Sequence, residues 1–196
     1  MTAGRKCTIR ERWPNILAYV RKVEGCTMSL EFIEFVLGFE EVFGVELTDA
    51  ELQPINTPAA LTDLIWGKIP HGADTGCLSQ KAFNRLRRVI CRTANINRRL
   101  IAPNVLFADI LSSSADYQLA QNVLAREFDA DDFPKLARRR NLLCLSIVGL
   151  GIRTVAQATR FVVAERPFRL KSNSDGWSRR EVGEVVKTRA EEELGV

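Results

Sequence analysis

The segment from residue 29 to residue 66 constrains the fold most, because it joins a dense helical pattern to charge of a single sign. It holds eight carboxylates and no lysine or arginine, although the 196-residue chain carries a formal net charge of +4. Between Ser29 and Phe43, apolar residues cover most of the circumference of a helix with 3.6 residues per turn. The pattern predicts a largely buried helix with one exposed acidic edge. That edge is predicted to consist of Glu31, Glu34, Gly38 and Glu41.

Helix start signals recur along the whole chain. Thr48 and Glu51 have the spacing of a capping box, and so do Ser178 and Glu181. Thr57 is followed by a proline, the residue favoured at the first helical position. No segment alternates apolar and polar residues for long enough to require a strand. The sequence therefore predicts an all-α protein.

Basic residues concentrate in a second predicted helix. Ser79 is the expected N-cap, and residues 81 to 99 contain seven lysines and arginines and no acid. This pattern is typical of a face that binds nucleic acid or another acidic partner. No stacking aromatics are interleaved with the basic residues, which argues against nucleic acid. The alternative is that the basic face docks on the acidic edge, within one chain or between chains.

Cysteine and histidine usage argues against a metal site and against a Cys/His catalytic pair. The five cysteines have no CxxC spacing, and the sequence contains one histidine. Neither a zinc site nor a Cys/His nucleophile pair is supported by this set. Reduced, scattered thiols and the lack of an apolar leader favour a cytoplasmic protein.

A single apolar run, over residues 142 to 152, raises the question of membrane contact. Its eleven residues are too few to span a bilayer, which takes roughly 20. The run therefore predicts a buried helix rather than a spanning one. Three arginines, at positions 138 to 140, precede it and leave peripheral membrane contact open.

The order of residues from Ser29 to Ile65 is distinctive. A serine and a leucine open the acidic helix, which ends in Phe43-Gly44-Val45-Glu46-Leu47. Thr48-Asp49, Ile55-Asn56-Thr57 and Leu61-Thr62-Asp63-Leu64-Ile65 follow without a gap. This order resembles helices II, III and IV of the acyl carrier protein family. The resemblance implies an acyl-carrier-like helical bundle.

In that family, the serine of an Asp-Ser-Leu motif at the start of helix II carries a 4′-phosphopantetheine arm. The matching position here is Ser29. The resemblance implies that the thiol of the arm presents acyl groups as thioesters, as in fatty acid or polyketide biosynthesis. It implies a carrier and not an enzyme, so no catalytic residue is expected. It also implies that Glu31, Glu34 and Glu41 meet partners with basic surfaces. Those partners would be a phosphopantetheinyl transferase and acyl-handling enzymes.

One departure from the family motif leaves two interpretations open. The motif reads Met28-Ser29-Leu30, with methionine where the family has aspartate. The chain is then either a carrier with an arm on Ser29 or a carrier-derived interaction module that has lost the arm. In the second case Ser29 is only the N-cap of its helix. The acyl cargo, the oligomeric state and any continuation of the natural chain past Val196 stay open.

The middle of the chain resembles a second, degenerate carrier unit. Residues 79 to 94 resemble helix I of the family, and residues 115 to 128 resemble helix II. Ser114 lies nearest the attachment position, but neither aspartate nor leucine flanks it. No arm is predicted at Ser114.

These resemblances predict three segments. A carrier-like domain is expected over residues 1–70, a degenerate unit over residues 77–135, and a helical C-terminal extension over residues 136–196. The last helix, which begins near Ser178, also resembles a carrier helix I. We hypothesise that this helix packs on the first domain and supplies the helix that the domain lacks.

Overall fold

The computed structural model describes residues 30–74, 76–137, 151–171 and 176–193. Within these ranges the chain forms α-helices, two short 3-10 turns and no β-strand. Only isolated bridges pair extended residues in the described part. The prediction of an all-α protein is confirmed at this level. Residues 1–29, and the apolar run up to residue 150, lie outside the described residues.

Eight α-helices account for most of the described residues. They are α1 (Leu30–Phe43), α2 (Asp49–Leu52), α3 (Pro58–Lys68), α4 (Leu78–Ala94), α5 (Phe107–Ile110), α6 (Ser114–Phe128), α7 (Val155–Glu165) and α8 (Arg179–Glu193). The 3-10 turns cover Arg98–Leu100 and Pro167–Leu170. Among the described residues, no helix combines the length and the apolarity that crossing a membrane requires.

Three helix starts follow the capping signals of the sequence. The Glu51 carboxylate accepts from the Thr48 backbone N–H at 3.0 Å, ahead of α2. The Thr57 hydroxyl accepts from the N–H of the third residue of α3 at 3.1 Å. At the start of α8, the N–H of Ser178 donates to Glu181 at 3.1 Å and the Ser178 hydroxyl accepts from the Glu181 N–H at 3.2 Å. These bonds satisfy N–H groups that have no partner inside the helix.

The start of α4 differs from the prediction. The helix begins at Leu78, and its N-cap is Cys77 rather than Ser79. The Cys77 sulfur accepts from the N–H of Gln80 at 3.4 Å. Ser79 therefore lies inside the first turn. Sulfur is a weak acceptor and cysteine is an unusual cap, so a search for Ser, Thr, Asp or Asn passes over this position.

The described residues fall into two compact units. The first, here called the split unit, joins the described residues of 1–75 to those of 172–196. The second, the inserted unit, comprises residues 76–171. This division differs from the three expected segments, because α7 belongs with residues 76–137 and α8 belongs with residues 30–74.

Helix α8 supplies part of the core of the split unit. It packs against α3 and α1. Val182, Val185 and Val186 are fully buried on its inner face, as is Phe39 of α1. The pairing with α3 is close, since a β-carbon on Gly183 of α8 would lie 3.5 Å from the side chain of Thr62. The core of this unit is thus built from both ends of the chain.

The two chain segments that flank the inserted unit are bonded to each other within the split unit. The N–H of Gly72 donates to the carbonyl of Trp177 at 2.9 Å, and the N–H of Trp177 donates to the carbonyl of Pro70 at 2.8 Å. The Trp177 ring is buried edge-on against Phe43, with centroids 5.1 Å apart. These contacts fix where the chain leaves the split unit and where it returns.

The inserted unit is organised around α4. This helix packs against α6 and α7 and buries Leu86 and Ile90 completely. Ile152 is not helical; it forms a bridge with Leu136, and its carbonyl accepts from Ala137 N–H at 2.8 Å. The predicted helix over the apolar run therefore does not extend to Ile152. The bridge and the α4 contacts place α7 in this unit rather than in a C-terminal extension.

Candidate functional site

The exposed side of α1 is the candidate site. Ile33, Glu34, Leu37 and Glu41 are exposed there, with Ile33 36% and Leu37 53% accessible to solvent. Their spacing of about one helical turn places them along one side of the helix. We call these four residues the α1 face. Two large exposed apolar side chains beside two carboxylates are typical of a surface that meets another protein.

One residue of the predicted acidic edge faces inward. Gly38 is buried, and the guanidinium of Arg189 in α8 lies against it. Arg189 Nη1 donates to the Gly38 carbonyl at 3.3 Å, and its guanidinium carbon lies 5.7 Å from the centre of the Phe39 ring. A β-carbon at residue 38 would overlap the guanidinium. The prediction for Gly38 is wrong because α8 packs on α1 at this turn.

The other carboxylates of the acidic segment have separate roles. Glu40 is half-buried and accepts from the N–H of Leu47 at 2.6 Å, which fixes the turn after α1. Asp63 pairs with Arg179 of α8, whose guanidinium donates to both carboxylate oxygens. This bond lowers the pKa of Asp63. Glu34 and Glu41, in contrast, form no ion pair with any other described residue.

A third acidic side chain is held by a lysine. The ammonium of Lys68 lies 2.7 Å from a carboxylate oxygen of Glu51, and this bond, with those from Thr48, lowers the pKa of Glu51 to about 2. Lys68 also donates to the carbonyl of Glu46 at 2.6 Å. Among the α1 side chains that the structure describes, the exposed carboxylates are those of Glu34 and Glu41.

Two predicted site residues cannot be placed with the others. Ser29 and the side chain of Glu31 lie outside the described residues. Helix α1 begins at Leu30, the residue that follows Ser29 in the chain, and runs for 14 residues. A helix of this length favours an anion at its N-terminus.

The interior below α1 is less suited to a long apolar cargo. Arg189 is only 8% exposed and lies between α1 and α8. A chain that entered there would have to displace a guanidinium from the Gly38 carbonyl and the Phe39 ring. Moving a charged group without replacing its contacts is costly. The space between α1 and α8 at this turn is therefore filled by the Arg189 side chain.

The serines before α6 lie at the start of that helix. Ser113 is the N-cap, and its hydroxyl accepts from the N–H of Asp116 at 3.1 Å. The N–H of Ser113 donates to the Asp116 carboxylate at 2.8 Å, which lowers the pKa of Asp116. Ser114 is exposed in the first turn. Within the described ranges, no group of histidine, cysteine and acidic residues could hold a metal ion.

Sequence reasoning misses the apolar part of the α1 face. Because most residues of α1 are apolar, the pattern places Ile33 and Leu37 on the buried surface. The sequence contains one indication that Leu37 is exposed: it lies three residues after Glu34 and four before Glu41, on the side of the helix that carries these carboxylates.

Comparison with protein-family models, with curated proteins and with solved structures finds no match for this chain.

Proposed function

We propose that this chain is an acyl-carrier-like protein that presents a phosphopantetheine-bound thioester on Ser29 to partner enzymes. The observation that supports this proposal best is the α1 face. It offers Glu34, Leu37 and Glu41 on a helix that begins at the residue after Ser29. A partner bound to this face would be close to the arm. The arm supplies the thioester chemistry, and the chain supplies docking.

The helices of the split unit support the same proposal. The residue order that resembles the carrier family covers α1, α2 and α3. Helix α8 packs against α3 and α1 and carries the sequence that resembles a carrier helix I. A four-helix unit of this composition would hold Ser29 at one end of α1 and leave the α1 face to solvent.

Mass spectrometry tests the arm directly. The purified chain is incubated with coenzyme A and a phosphopantetheinyl transferase of broad specificity, and its intact mass is measured. We expect a gain of one phosphopantetheine group, lost in Ser29→Ala and retained in the control Ser114→Ala. An unmodified wild-type chain, beside a standard carrier that is fully modified, would contradict the proposal.

The charges of the α1 face have a separate test in the same assay. Reversing both Glu34 and Glu41 to arginine is expected to lower kcat/KM of the transferase about tenfold or more, since such charges steer encounter. The single reversals Glu34→Arg and Glu41→Arg are compared with Glu46→Arg, which changes the net charge equally and is exposed on the loop after α1. Equal effects of the three single reversals would show that net charge, and not the α1 face, governs the encounter.

The alternative function is a protein-interaction module without the prosthetic group. Two observations favour it: methionine precedes Ser29 where the family has aspartate, and Arg189 lies below α1. This alternative predicts that complexes captured by cross-linking in the native host persist in Ser29→Ala and weaken when Glu34 and Glu41 are reversed. Complexes that vanish with Ser29→Ala alone would rule it out.

A further inference from the structure

We propose that a basic face of the inserted unit binds the α1 face of a second copy of this chain. The basic face lies on α4 and on the 3-10 turn that follows it. It consists of Arg88, Arg92, Arg98, Arg99 and Leu100. All five side chains are exposed, and Leu100 is 63% accessible to solvent. The contact uses the α1 face but does not depend on an arm at Ser29.

The arginines of this face are available to a partner. Arg88, Arg92 and Arg99 form no ion pair with any described residue, and Arg98 makes one long bond of 3.4 Å to Asn84. Other arginines of α4 are engaged within the unit. Arg85 lies 2.5 Å from Glu127, for example. The free charge of α4 is therefore concentrated on one exposed face.

Nothing acidic interrupts this positive charge. No aspartate or glutamate occurs between Asp74 and Asp109, a stretch that includes all of α4 and the 3-10 turn. The acidic segment from residue 29 to residue 66 contains no basic residue. The two units thus present exposed charges of opposite sign, which favours an encounter between them.

The two faces also match in the kinds of side chain that they expose. Each combines exposed charges with exposed aliphatic side chains: Ile33 and Leu37 on the α1 face, and Leu100 on the basic face. Glu34 and Glu41 are about 10 Å apart along α1, and Arg88 and Arg92 are about 6 Å apart along α4, at 1.5 Å per residue. Two arginines can therefore lie within the span of the two carboxylates. Apolar contact flanked by opposite charges is typical of a weak, specific interface.

A second copy fits these faces better than a nucleic acid does. Binding to single strands relies on exposed aromatic platforms. On α4, the aromatic residue is Phe83, which is half-buried with Arg87 stacked over its ring at 4.9 Å. The matching acidic and apolar surface is present on every copy of the chain, so its concentration always equals that of the basic face.

A charge-swap experiment tests the contact. Variant A carries Glu34→Arg and Glu41→Arg, and variant B carries Arg88→Glu, Arg92→Glu, Arg98→Glu and Arg99→Glu, which reverses every charge of the basic face. Both are made in the Ser29→Ala background, so an arm cannot contribute. Sedimentation velocity at low salt, over a wide concentration range, measures the mass of A alone, of B alone and of their equimolar mixture. Circular dichroism and thermal melting verify that each variant folds.

We expect the Ser29→Ala parent to associate as its concentration rises, and to dissociate as salt is added. A alone and B alone should associate about tenfold more weakly or worse, because each then carries two faces of the same sign. The mixture of A and B should regain association. The α1 face of A is then basic, and the substitutions have made the basic face of B acidic. Glu46→Arg is the control and should behave as the parent does.

Three results would overturn the proposal. The parent could stay monomeric at every concentration, or the mixture of A and B could fail to associate. Cross-links between α1 and α4 within one chain, at dilutions where the protein is monomeric, would show that the faces meet inside a single copy. None of these results bears on the modification of Ser29, so this proposal and the proposed function fail separately.

Discussion

At the scale of single residues, the glycines show how tightly parts of the split unit are packed. Gly176 has φ of +100°, and a β-carbon there would lie 2.6 Å from backbone atoms of Pro70 and His71. A β-carbon on Gly67, near the end of α3, would meet no neighbouring atom within 4 Å. The first glycine is required by its surroundings, and the second is not.

This contrast gives a matched pair of substitutions. Gly176→Ala should lower the free energy of unfolding by about 2 to 4 kcal/mol, because it adds positive-φ strain and a backbone overlap. Gly67→Ala should raise it by as much as about 1 kcal/mol, through helix propensity. Denaturant unfolding followed by circular dichroism measures both. Equal midpoints for Gly176→Ala and wild type would contradict the packing of this junction.

Glu51 gives a prediction about pH. Its pKa is lowered from 4.5 to about 2 by Lys68 and by the bonds from Thr48. Since the folded pKa lies below the unfolded one, the Glu51 carboxylate stabilises the fold above pH 4.5. This contribution is lost as the pH falls toward about 2. The melting temperatures of wild type and Glu51→Gln should therefore differ at neutral pH and converge in acid. A difference that does not change with pH would show that the carboxylate charge is not responsible.

At the scale of elements, the sequence and its resemblance suggested the helices of the split unit and the packing of the last helix on the first ones, but not the contacts of single side chains. The caps at Thr48, Thr57 and Ser178 are the ones that the spacing indicates, because capping depends on residues three positions apart. The inward orientation of Gly38 depends on Arg189 of α8, which lies 151 residues away in the chain. A contact of that range leaves no local signal in the sequence.

Helix α8 should stabilise the helices that precede the inserted unit. Val185→Ala removes two buried methyl groups at the α8 contact and should cost about 2 kcal/mol. Hydrogen exchange of α3 amides should accelerate accordingly. Lys187→Ala, on the exposed side of α8, is the control and should leave exchange nearly unchanged. If Val185→Ala leaves α3 exchange unaltered, α8 does not supply the missing helix in energetic terms.

At the scale of the whole molecule, the chain builds two cores, and one of them combines segments that are far apart in the sequence. The split unit takes its helices from both sides of the inserted unit. Phe39 and Ile65 are fully buried in the first core, and Leu86 and Phe128 are fully buried in the second. Separate cores imply that damage to one should leave the other folded.

A core substitution in the inserted unit tests this independence. Leu86→Ala should destabilise that unit by about 2 to 5 kcal/mol, the usual cost of truncating a buried leucine. Hydrogen exchange should accelerate in α4, α6 and α7. The amides of α1 and α3 should keep their wild-type rates. Faster exchange throughout both units would mean that the two cores unfold as one cooperative body.

The sequence by itself determined the helical class, several helix starts and the segregation of charge, because these depend on local spacing and composition. It also marked Glu34 and Glu41 as acidic residues of one helix edge. Only the tertiary structure decided that Arg189 lies against Gly38 and turns it inward, and that Ile33 and Leu37 stay exposed. Such outcomes depend on which distant surfaces pack together, and many pairings satisfy the same apolar pattern.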